Sequence, residues 1–75
     1  MNISSRAVDD LIRIATAGGG FRVDATVHTL DDLIRIAAAA GAKRSRVTVV
    51  GASIHGTDSL VRIAAAGNGA VEFLD

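Results

Sequence analysis

The segment at residues 9–15, DDLIRIA, returns unchanged at 31–37 and, as DSLVRIA, at 58–64. A chain that writes one amphipathic phrase three times is expected to build one supersecondary unit three times. Each copy then needs a neighbour to bury its apolar side. Downstream of each phrase lies a glycine and then a β-branched run: FRVDATV at 21–27, SRVTVVG at 45–51 and GAVEFLD at 69–75. Aligning Val23, Val47 and Val71 gives two steps of 24 residues, whereas the helical phrases step by 22 and 27, which places the slack in the connections.

The expected fold is therefore α/β: three tandem helix–strand repeats forming a short solenoid with a three-stranded parallel sheet and helices on one face. The single domain covers 1–75, with repeats at about 4–27, 28–51 and 55–75. Successive right-handed crossovers between adjacent parallel strands put every helix on the same side. The architecture looks like the horseshoe of leucine-rich repeats, but the leucine and asparagine spacing of that family is missing and no kinship follows.

Each helix has a physical rationale. Val8, Leu11, Ile12, Ile14 and Ala15 form one apolar stripe, and Leu30, Leu33, Ile34, Ile36 and Ala37 form the next. Leu60, Val61, Ile63 and Ala64 form the third. Asp9–Arg13, Asp31–Arg35 and Asp58–Arg62 each place an acid four residues before a base, a spacing that favours an ion pair on a helix surface. Ser4 or Ser5, Thr29 with Asp32 as a capping box, and Thr57 mark the starts. Gly18, Gly41 and Gly67 mark the stops. In the strands, Phe21, Val23, Ala25, Val47, Val49, Val71 and Phe73 are assigned to the inward face. Arg22, Asp24, Thr26, Arg46, Thr48, Val50, Ala70, Glu72 and Leu74 are assigned to the outward one.

Composition limits the function classes. The chain has no cysteine and no net charge, and Phe21 and Phe73 are its only aromatic residues. Nucleic acid is not an expected partner, since phosphate contacts need a basic face and single strands need stacking rings. No apolar run reaches the roughly 18 residues of a membrane span. The start MNISSRAVDD has no basic-then-apolar leader, so a cytoplasmic location is the expectation.

Several constellations invite a chemical reading. His28 and His55 each precede the recurring aspartate by three residues, and Arg6 holds that place in the first copy. With Thr57 they define a possible anion or partner edge at the carboxyl ends of the strands. No third residue of matching spacing joins the histidines to make a metal site. Gly51 and Gly56 match the glycine spacing of a nucleotide-triphosphate loop, yet Thr57 stands where its lysine should be. That leaves 51–57 as a turn absorbing the longer spacing. Lys43, Arg44 and Arg46 read as a solvated basic turn, and Ser53 and His55 have nothing to orient them as nucleophile and base. No enzyme, no cofactor and no metal are expected.

The functional expectation comes from what lacks a cover. Repeat stacks carry polar caps, whereas here the outer units carry the same apolar phrase as the middle one. The outer strands bear Arg22 and Asp24 at one edge and Val71, Glu72, Phe73 and Leu74 at the other. Sheet edges are either blunted or used. The first reading is a small structural or interaction protein that self-associates through its uncapped repeat ends or helix faces. The alternative is a binding module for a protein partner or an anionic ligand at the strand carboxyl edge.

Overall fold

The computed structural model describes residues 7–75. Along them run α1 (Val8–Thr16), β1 (Phe21–Asp24), α2 (Leu30–Lys43), β2 (Val47–Val50), a 3-10 turn (Ala52–Ile54), α3 (Thr57–Gly67) and β3 (Val71–Leu74). The strands pair in parallel in the order β1-β2-β3, and α1 packs on α2 while α2 packs on α3. The expected α/β class and the parallel sheet are therefore observed.

Leu11 and Ala15 of α1, Leu33, Ile36, Ala37 and Ala40 of α2, and Ile63 of α3 join Phe21, Val23, Val47 and Val49 in one core. Each large aliphatic side chain so enclosed contributes about 1.5–3 kcal/mol. The alternation holds across the sheet, since Arg22 and Glu72 are exposed on the other face. Two residues assigned to that face are nevertheless buried. Thr48 is buried because it sits on the central strand between Arg22 and Glu72, and its hydroxyl donates to Glu72 Oε1 at 2.9 Å. Ala70, just ahead of β3, is buried as well.

The sheet register departs from the alignment of valines. Phe21, not Val23, stands beside Val47, which in turn faces Val71. A slip of two residues leaves every side chain on its original face, so patterning alone does not distinguish the two registers. The cause is the length of α2. From Asp31 to Val47 is sixteen residues, against twelve from Asp9 to Phe21 and thirteen from Asp58 to Val71. Most of the extra spacing thus lies in about one added helical turn, and not in the 51–57 connection.

The helix ends divide in the same way. Thr29 caps α2 as expected, its hydroxyl accepting the Asp32 N–H at 3.2 Å. Ser4 and Ser5 lie outside the described residues; the cap of α1 is Ala7, without a side-chain bond. Gly56 caps α3, and Thr57 is its first residue. Gly18 does end α1 in a left-handed turn, with the Gly19 N–H donating to the Ile14 carbonyl at 3.0 Å. Gly41 does not end α2, because the left-handed residue there is Arg44; for α3 it is Asn68. Gly41 and Gly67 serve a different need. A Cβ on Gly41 would lie 2.6 Å from the Gly67 carbonyl oxygen, so the missing side chain is what lets α2 and α3 touch.

Candidate functional site

The three helical phrases lie on α1, α2 and α3 and differ in what covers them. Leu11 and Leu33 are fully buried, whereas their counterpart Leu60 is only half-buried. Ala15 and Ala37 are buried and Ala64 is exposed. Ile12 and Ile34 are half-buried, while Val61 is 58% exposed. The isoleucine that follows the arginine shows the opposite trend: Ile36 and Ile63 are buried, and Ile14 is half-buried. Leucine and alanine therefore face the next helix, and the isoleucine faces the previous one. The side of α3 away from α2 has no next helix among the described residues, nor has α1 a previous one.

Ion pairs follow the stacking and not the single helix. Arg35 reaches Asp9 of α1 at 3.5 Å and Asp32 at 3.8 Å, in place of the expected Asp31. Among the described residues, neither Asp9–Arg13 nor Asp58–Arg62 closes as an ion pair. On α1 a shallow hollow of about 350 Å³ is lined by Asp10, Arg13, Ile14 and Ala17. Their counterparts on α2 are Asp32, Arg35, Ile36 and Ala39, and that surface carries the buried Ile36 and the bond to Asp9.

The sheet-edge residues fall on two opposite borders, because β2 separates β1 from β3. Arg22 is exposed on β1. Asp24 ends β1 in a tight turn: the Thr26 hydroxyl and N–H both donate to its Oδ1, at 2.6 and 2.8 Å. The bond from that hydroxyl, then the one from the backbone, with a smaller pull from the His28 charge, hold its carboxyl below the usual range against slight desolvation. At the other border Val71 and Phe73 face the core but stay half-buried, and Leu74 is 44% exposed on the outer face. Glu72 is not a free edge charge. It also takes Arg46 at 3.9 Å, which ties β3 back to β2.

At the carboxyl ends of the strands, His28 and His55 are half-buried in their turns and Thr57 is exposed; Arg6 lies outside the described residues. His55 Nε2 is enclosed and has no hydrogen-bond partner among the described residues. Among the described residues, no group of three His, Asp, Glu or Cys lies together as a metal site would need. At the opposite end, Arg44 and Arg46 of the basic turn line a hollow of about 380 Å³ with Gly41, Asn68, Gly69 and Ala70.

Sequence reasoning missed Ser45, which is buried and donates to the Ala15 carbonyl at 2.6 Å, pinning the entry of β2 to the end of α1. A serine just before a strand carries no signal of such a distant bond. The sequence reading expects bare outer units but does not say that Val61 and Ala64 carry the exposure.

Comparison with known proteins finds no matching family model, no matching curated protein and no matching solved structure. Among the described residues, no helix is long and apolar enough to cross a membrane.

Proposed function

We propose that this chain is a non-catalytic structural or interaction protein, a three-unit α/β solenoid that self-associates through its outer flanks. The observation that carries this reading is that Val61 and Ala64 are exposed and Leu60 only half-buried, at positions that are buried or half-buried in the first two phrases. Aliphatic side chains gain free energy when a neighbour removes them from water. The outer sides of β1 and β3 add support, since neither pairs with a further strand among the described residues. Joining flank to flank brings Arg22 and Asp24 of one copy towards Val71, Glu72, Phe73 and Leu74 of another. Sedimentation velocity from micromolar to millimolar concentration tests the reading: mass is expected to rise with concentration, and a monomer throughout would refute it.

A binding edge for a protein partner is the second reading. Val27 and Ile54, each 58% exposed and each followed by a histidine, favour it.

A further inference from the structure

We propose that copies assemble head to tail, α3 of one seated on α1 of the next, with Asp58 of the first copy against Arg13 of the second. This rests on the self-association reading and specifies its register and its occupant, a second copy of this chain.

The template lies inside the molecule. Where α1 meets α2, the first aspartate of one phrase, Asp9, bonds the arginine of the next phrase, Arg35. Behind that pair, Leu11 and Ala15 of the first phrase and Ile36 of the second are fully enclosed. Continuing the series by one step from α3 calls for an arginine and an isoleucine on the incoming helix, opposite Asp58, the half-buried Leu60 and the exposed Val61 and Ala64. The surface of α1 supplies both: Arg13 and the half-buried Ile14 line its hollow together with Asp10, the counterpart of the Asp32 that steadies Arg35. Arg13 and Asp58 are exposed, opposite in charge, and on the two flanks that lack a helical neighbour among the described residues.

The α2–α3 junction shows how far the pattern holds. Arg62 and Asp31 do not pair there, and the Gly41–Gly67 approach takes the place of that contact. Position 67 corresponds to Gly18 in the first phrase, and position 41 to Gly19 and Asn68. A joint from α3 to α1 would thus set Asn68 against Gly18, lacking the glycine pair, and would follow the α1–α2 geometry, where the arginine–aspartate bond forms. Contact between two different patches is heterologous, so it closes into a ring or continues as an open chain.

Arg13→Asp and Asp58→Arg, made singly and together, test the register by sedimentation velocity and by co-sedimentation of differently labelled copies. Both sites are exposed, and unchanged thermal melting at dilution shows that the variants fold. Each single reversal is expected to weaken self-association on the order of tenfold by setting like charges face to face. An equimolar mixture of the two single variants is expected to recover assembly. The arginine introduced in one variant then meets the aspartate introduced in the other at one joint, and the native pair re-forms at the next. The double variant is expected to recover it alone. Assembly of the native chain that survives both reversals, or reversals that mixing does not rescue, would overturn this register while leaving self-association through the sheet edges standing. A native chain that stays monomeric would overturn both readings.

Discussion

The helices α2 and α3 carry nearly the same phrase and do different things with it. In α2 the residues Leu33, Ile36, Ala37 and Ala40 are enclosed on both sides by α1 and α3. In α3 only Ile63 and Gly67, on the side towards α2 and the sheet, are buried, and Val61 is left 58% exposed. The side chains are close to identical, so the free energy each contributes is decided by its neighbours and not by its own hydrophobicity. The same contrast runs through the sheet, where Val47 and Val49 of β2 are buried but Val71 and Phe73 of β3 are half-buried.

The largest effect expected from this contrast is at its leucines. Leu33→Ala should cost about 3 kcal/mol of stability, as a fully enclosed leucine does, and Leu60→Ala about 1 kcal/mol. Urea unfolding at a dilution where the chain is monomeric measures both; equal losses would break the contrast between inner and outer units.

The next effect concerns the junction that closes α2 against α3. Replacing a glycine by alanine in an exposed helix interior stabilises by about 1 kcal/mol. Gly41→Ala should instead destabilise by about 1–3 kcal/mol, because the new methyl meets the Gly67 carbonyl, which belongs to backbone and cannot swing aside. A higher melting temperature in this variant would show that the two helices have room to part.

The smallest effect separates the arginines. Arg35→Ala should lose under about 0.5 kcal/mol, since its pairs with Asp9 and Asp32 are largely solvated. Arg62→Ala, with no ion pair among the described residues, should lose nothing measurable. A double-mutant cycle between residues 9 and 35 sharpens the difference, and a zero coupling energy there would remove the template for the joint between copies.

Much of the unit was legible before the fold was known. Alternation in FRVDATV announced a strand with one inward face, and the 3.6-residue spacing of Leu30, Leu33 and Ile34 announced a helix; Thr29 three residues before Asp32 marked its start. These are short-range matters of sterics and hydrogen bonding within a turn or two of chain. The candidate site was less legible. The edge residues Val71, Glu72, Phe73 and Leu74 were picked out for their place on an outer strand, but the degree of exposure of Leu60, Val61 and Ala64 has no local signature. Gly41 looks like a helix stop because a glycine in isolation states only its freedom, and nothing in the sequence around it says that another backbone will arrive.

By itself, then, the amino-acid order determined the kinds of element, their alternation of helix and strand, and which side of each is apolar, since all of these follow from contacts between near neighbours in the chain. Tertiary structure decided the rest: Phe21 beside Val47, Gly41 against Gly67, Ser45 on the Ala15 carbonyl, Arg35 on Asp9. Each of these depends on how far one element extends before the next turns back. A slip of two residues, or one more helical turn, changes those partners without altering any local pattern.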